Sequence, residues 1–143
     1  PLRALAYNQI LSENFPNNHW YVLQRAELLT LTGKFEEAET YIEKMEALKS
    51  SYYTGAAYTL RGMREEVERK DLNKAEFWYL KAIAFPFEER LTKDIRGLAY
   101  LGLARVSFRE KKIHLFKKYL KQSADFIEYK NSLIEYKRLS HGK

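Results

Sequence analysis

Three segments of this chain align without gaps: GKFEEAETYIEKMEAL at 33–48, KDLNKAEFWYLKAIAF at 70–85 and KKIHLFKKYLKQSADF at 111–126. In that alignment Phe35, Leu72 and Ile113 correspond, as do Ala38, Ala75 and Phe116, and Ile42, Tyr79 and Leu120. The copies lie 37 and 41 residues apart. A repeat of this length narrows the choice of fold sharply. One unit is too small to bury its own apolar face, so successive units must cover one another.

The first unit shows what is repeated. Across residues 19–48, Val22, Leu23, Ala26, Leu29 and Thr30 form one apolar stripe at helical spacing, and Phe35, Ala38, Tyr41, Ile42, Met45 and Leu48 form a second. Gly33-Lys34 separates them, a turn short enough to require an antiparallel pair. Gly33 can take a positive φ and end the first helix without steric cost. Ala26 and Ala38 are small where the two helices approach.

The same reading extends along the chain. A leading helix spans 2–13, with Leu2, Leu5, Ala6, Ile10 and Leu11 on one candidate stripe and Ala4, Tyr7 and Leu11 on another. Pro16 stops it. Asn17 or Asn18 caps the next helix. Hairpins are expected at about 19–49, 53–84 and 89–125, with a trailing helix at about 127–139 and a frayed tail. Glu36, Glu37 and Glu39 suit the positive end of a helix dipole, and Asp71 caps the helix after it. The apolar positions of the later helices are Leu72, Ala75, Trp78, Tyr79, Ala82 and Ile83, then Leu91, Ile95, Leu98, Leu101 and Leu103, then Phe116, Tyr119, Leu120 and Phe126. Phe85-Pro86-Phe87 reads as a stop. Gly97 and Gly102 cost about 1 kcal/mol each in helix propensity and imply close helix packing. No strand alternation occurs. The expected fold is all-α, a single domain of about seven to eight helices in tandem antiparallel hairpins.

This arrangement resembles the tetratricopeptide repeat, a helix-turn-helix unit of about 34 residues with the pattern W-x2-L-G-x2-Y, A-x3-F, P. The matching residues are Ala4 and Pro16; Leu29, Gly33, Phe35 and Ala38; Tyr58, Gly62, Ala75, Tyr79, Ala82 and Pro86; and Leu98, Leu101 and Gly102. Arg25, Ala26 and Phe116 stand where the pattern has Leu, Gly and Ala. The resemblance implies an α-solenoid whose concave groove is lined by the first helix of each repeat. Trp20, Leu23, Gln24, Glu27, Thr59, Met63, Glu66, Arg96, Tyr100 and Leu103 would then face a peptide or helix of a partner protein. The Lys/Asn/Arg set with which some family members clamp a carboxyl terminus is missing.

Composition excludes several other roles. Hydrophobic content of 45% and aromatic content of 15% exceed those of a disordered chain. With no cysteine, disulfides, thiolate catalysis and Cys-bound zinc are ruled out. His19, His114 and His141 are far apart and lack an H-E-x-x-H setting, so no metal is expected. No Gly-rich phosphate loop and no G-x-S-x-G motif occur. Glu36-Glu37, Glu65-Glu66 and Glu88-Glu89 are adjacent on helices and point apart, unlike an acid/base dyad. The expectation is a non-enzymatic scaffold without a cofactor. The chain opens Pro-Leu-Arg without methionine and reads as a piece of a longer protein.

Two features leave alternatives open. Trp20-Tyr21, Tyr52-Tyr53, Tyr58 and Tyr100 serve either the core or the groove. The net charge of +6 is uneven: residues 1–70 hold nine basic and ten acidic side chains, residues 71–143 sixteen and nine. Arg105, Arg109, Lys111, Lys112, Lys117, Lys118 and Lys121 form a candidate basic patch. It is either a solvated face or a surface for nucleic acid or an anionic membrane. Self-association through the apolar ends of the array is a third expectation.

Overall fold

The computed structural model describes residues 2–15, 18–84 and 93–125. They form α1 (Leu2–Asn14), α2 (His19–Leu31), α3 (Phe35–Ala47), α4 (Ser51–Val67), α5 (Leu72–Ile83), α6 (Lys93–Arg109) and α7 (Ile113–Ala124). The fold is all-α, and no strand occurs among the described residues. The Pro16 and Phe85-Pro86-Phe87 stops and the trailing helix lie outside the described residues.

Local chemistry sets the helix ends. Asn18, in extended backbone, accepts a hydrogen bond from the Trp20 N–H at 3.0 Å and so caps α2. Asp71 does the same for α5 through the Lys74 N–H, also at 3.0 Å. Glu36 and Glu37 occupy the first turn of α3, where the exposed N–H groups favour carboxylates. Gly33, Lys70 and Lys111 close the three hairpins with φ of 80°, 53° and 62°. Each is followed two residues later by the first residue of the next helix, Phe35, Leu72 or Ile113. In each turn the next N–H reaches back into the preceding helix: Lys34 to Leu29 O, Asp71 to Glu65 O and Lys112 to Ser107 O, at 2.8–2.9 Å. The first and third turns share one geometry, with the bond spanning five residues, whereas the second spans six and holds one residue more. A lysine in the left-handed region costs roughly 1–2 kcal/mol that a glycine avoids, so the second and third turns are held by their surroundings.

The hairpins α2–α3, α4–α5 and α6–α7 pack within themselves and against their successors, through α3 on α4, α2 on α4, α5 on α6 and α4 on α6. Leu23, Ala26 and Leu29 of α2 meet Ala38, Ile42 and Met45 of α3 and Ala56, Ala57 and Leu60 of α4. Ala26 and Ala38 are fully enclosed, which their size permits. A second cluster joins Ala75, Tyr79 and Ala82 of α5 to Ala99, Leu103 and Val106 of α6. A third joins Leu101 and Ala104 to Phe116 and Leu120 of α7. Met63 packs on the first two clusters and Tyr119 on the last two, so the apolar interior is continuous.

The leading helix departs from expectation. α1 packs on α2 and buries Leu5 and Asn8, whereas Ala4, Ala6, Tyr7 and Ile10 are exposed. A helix with one neighbour can bury only one narrow line. The pivot of that line is polar. Asn8 Nδ2 donates to the Tyr21 carbonyl at 3.0 Å and to Gln24 Oε1 at 3.2 Å. Its Oδ1 accepts from Ser12 Oγ and Arg25 Nη1, each at 3.4 Å.

Hairpins two and three are joined around one aromatic ring. Tyr79 of α5 is fully buried between Gly62 of α4 and Gly102 of α6. A Cβ built on Gly62 would lie 2.7 Å from the ring, and one on Gly102 2.4 Å from it. Both glycines are thus required by contact. The hydroxyl donates to Glu66 Oε1 at 2.7 Å. Glu66 follows Gly62 by one turn, and its side chain is 2% exposed. Arg105, one turn after Gly102, forks onto this carboxylate with Nε at 2.8 Å from Oε2 and Nη2 at 3.1 Å from Oε1. Arg109 approaches Oε2 to 3.4 Å. A buried carboxylate is tolerable only with such donors.

Gly102→Ala should destabilise the protein by roughly 1–3 kcal/mol despite alanine's better helix propensity, because the enclosed ring cannot retreat; a urea midpoint equal to or above the wild type's would contradict the clamp. Burial, reinforced by the Glu66 charge, pushes the Tyr79 hydroxyl well above its ordinary value of 10.0. The folded protein then keeps a proton that the unfolded chain releases above pH ~10, so its stability falls as pH rises past that point, by about 1.4 kcal/mol per pH unit. Tyr79→Phe should flatten that alkaline limb, as read by denaturation at stepped pH.

Candidate interaction surfaces

The expected groove residues divide into two groups. Leu23 and Leu103 lie in the hydrophobic clusters. Thr59 is buried and returns its hydroxyl to the Gly55 carbonyl at 2.9 Å. Glu66 is the buried carboxylate just described. These four offer nothing to a ligand, and the groove reading is corrected for them. The cause is packing: the first helices of successive hairpins touch, and α5 lies against α6, which consumes the inner line of each. Trp20 stays half exposed. Gln24, Glu27, Met63, Arg96 and Tyr100 are part-buried. Of these, Gln24 turns toward α1 through Asn8, and the Tyr100 ring lies 6.3 Å from that of Tyr119.

Two residues of this surface escaped the sequence reading. Leu31 is 65% exposed and Val67 58% exposed, beside Trp20 at 50%. Leu31 follows Glu27 by four residues and Val67 follows Met63 by four, so each sits one helical turn further along the same face. The two pairs are related by the hairpin repeat, and α2 and α4 are in contact. Carrying the phasing one turn beyond Glu27 and Met63 would have found them. The result is a face on α2 and α4 with large apolar groups in water and a carboxylate at its edge.

Several other aromatic side chains pack on one another, within a helix or between two. Tyr58 lies against Trp78 with ring centroids 5.4 Å apart, and Tyr52 meets Tyr53 edge-on at 5.3 Å. His19 reaches Tyr53 at 6.2 Å, which ties the start of α2 to α4. No group of three or more histidines and carboxylates that could hold a metal occurs among the described residues. Among them, too, no helix is long and apolar enough to cross a membrane.

The basic patch is also reduced. Arg105 is directed inward onto Glu66, and Arg109 shares that carboxylate. Lys112 lies 3.5 Å from Glu110, and Lys111 occupies the left-handed turn position. Lys117, Lys118 and Lys121 are exposed on α7. Arg105 was placed on the surface by its residue type, whereas its partner stands 39 positions earlier. Local spacing carries no trace of such a pairing.

Comparison with protein-family models, curated proteins and solved structures returns no match.

Arg105→Met should cost about 3 kcal/mol, since it strips the fork from a buried carboxylate. Lys117→Met and Lys118→Met should stay within about 0.5 kcal/mol of the parent, as exposed substitutions do. Chemical denaturation of the three variants checks this, and an Arg105 variant as stable as the lysine variants would return Arg105 to the surface patch.

Proposed function

We propose that this chain is a tetratricopeptide-like array, a solenoid of stacked hairpins, that acts as a non-enzymatic protein-interaction scaffold. The observation that carries the reading is the α2/α4 face. Trp20, Leu31 and Val67 expose apolar side chains at phased positions on neighbouring helices. Large apolar groups left in water along one face of neighbouring helices suit binding better than solvation. Trp20 is the natural anchor, because aromatic residues carry a disproportionate share of interface energy. The ligand that fits is a short amphipathic helix or extended peptide, with apolar groups spaced to meet Trp20 and Leu31.

Peptide-display selection against the whole chain tests this. Selected sequences should carry apolar residues at helical or alternating spacing. Trp20→Ala and Leu31→Ser should each weaken them by about tenfold or more, near 1.4 kcal/mol. Selected peptides that bind both variants as tightly as the parent would remove the α2/α4 face from the proposal.

A further inference from the structure

The ammonium of Lys81 rests among three aromatic rings. Lys81 follows Phe77 by four residues and Trp78 by three on α5, so its side chain runs back over both. Tyr58 of the neighbouring α4 closes a third side. Lys81 Nζ lies 4.8 Å from the Tyr58 ring centroid and 5.2 Å from those of Phe77 and Trp78. All three are inside the ~6 Å over which a ring face attracts a cation. Among the described residues, Arg25, Lys44, Arg61 and Lys118 also lie over a ring, and each meets only one. No carboxylate among the described residues pairs with Lys81.

The rings form a corner open to water. The Phe77 and Trp78 planes stand at 76° with centroids 5.2 Å apart, and Tyr58 is tilted 41° from Trp78 at 5.4 Å. Phe77 is 53% exposed, Lys81 is exposed, and Tyr58 and Trp78 are part-buried. The inner line of α5, Ala75, Tyr79 and Ala82, is packed on α6, so the fold and not the lysine sets the walls. Arg61 lies 5.5 Å from the indole centroid, and its charge is answered by Glu39 and Glu46. Lys81 is held only loosely by comparison. Its head stays in contact with water, and fixing its long side chain costs rotamer entropy.

We propose that the corner of Tyr58, Phe77 and Trp78 binds a trimethylammonium group, and that Lys81 is the resident occupant which this ligand displaces. The choice follows from competition. A foreign primary ammonium offers the rings nothing that Lys81 lacks, and Lys81 has the advantage of its tether. A guanidinium is flat and stacks on one face, whereas walls at steep angles suit a rounded cation. A trimethylammonium keeps the charge, has no N–H groups to strip of water, and presents methyl groups to every ring. An anion would meet the negative faces of the rings.

The test is a nuclear magnetic resonance titration of the whole chain, following the indole Nε1–H signals of its two tryptophans. Helices α2 and α5 are not in contact, so Trp20 serves as the internal control for Trp78. The titrants are Nα-acetyl-Nε-trimethyl-lysine methylamide, its unmethylated counterpart, choline, and the choline isostere in which carbon replaces the charged nitrogen. Both trimethylammonium compounds should shift the Trp78 signal saturably in the millimolar range expected of a fragment and leave Trp20 unmoved. The unmethylated lysine derivative and the neutral isostere should bind at least about tenfold more weakly. Tighter binding of the trimethyl-lysine derivative than of choline would assign the site to a methylated side chain of a protein; equal binding would assign it to a small quaternary ammonium. Two variants at exposed positions supply further readouts. Phe77→Leu removes one wall and should weaken both compounds about threefold or more, and Lys81→Ala empties the corner and should tighten both about threefold. Four results overturn the proposal: a Trp78 signal that neither trimethylammonium compound moves, equal binding of either control, a Phe77→Leu protein that binds as the parent does, or a Lys81→Ala protein that binds no tighter.

Discussion

A carboxylate taken out of water demands donors, and Glu66 obtains them from two other helices. The Tyr79 hydroxyl comes from α5, and the Arg105 fork and Arg109 from α6. The geometry admits little slack. Arg105 can reach both oxygens only if α6 lies close to α4, and Gly62 and Gly102 allow that approach by leaving the faces of the Tyr79 ring bare. The ring fills the gap that the two glycines leave, and its hydroxyl meets the charge at the end of the gap. Each part presupposes the others. Apolar burial alone would let α4, α5 and α6 slide by a turn at modest cost, whereas a planar fork on a buried carboxylate is lost by such a slide. The relative placement of the second and third hairpins rests on this group.

The first and second hairpins meet on different terms. Their shared interior is built of alanine, leucine, isoleucine and methionine, and the polar ties sit at its margin, where Arg61 of α4 spans Glu39 and Glu46 of α3. That margin also borders a half-open cavity lined by Glu39, Arg61, Arg64, Glu65, Arg69 and Trp78. The salt bridges that fasten α3 to α4 therefore line that cavity. At the leading edge, Asn8 plays the corresponding polar role between α1 and α2. Each junction thus combines an apolar contact with directional polar groups.

Much of the fold was legible in the sequence because it is written in short-range spacing. Helical stripes, the Asn18 and Asp71 caps and the turn at Gly33 are local features. The offsets of 37 and 41 residues reappear in the structure as the spacing of the left-handed residues Gly33, Lys70 and Lys111. Two of these are lysines, so the turns had to be located by alignment and not by glycine. The pairings were not legible. Glu66 reads as a groove carboxylate and Arg105 as a surface cation until they are seen to be each other's partner across 39 residues. Gly62 and Gly102 announced close packing without saying that a ring from a third helix lies between them. Periodicity tells which face of a helix is special, and it is silent on what that face meets.

Burial also decides where recognition can occur. On α6, the line carrying Ala99, Leu103 and Val106 is spent on α5, and Leu101 and Ala104 are spent on α7. The first helix of the third hairpin has little left for a ligand along those lines. On α2 and α4 the equivalent surface remains open at Trp20, Leu31 and Val67. Helix α4 is the one element that takes part in everything: its Met63 side faces the apolar surface, its Arg61 and Glu65 side the polar cavity, and its Gly62 and Glu66 side the buried clamp. The three tasks fall on three angular sectors of one helix, which a residue spacing of 3.6 per turn keeps apart. A substitution on one sector can therefore alter its own task without passing through the other two, unless it moves the helix axis, and the Glu66 clamp is what holds that axis in place.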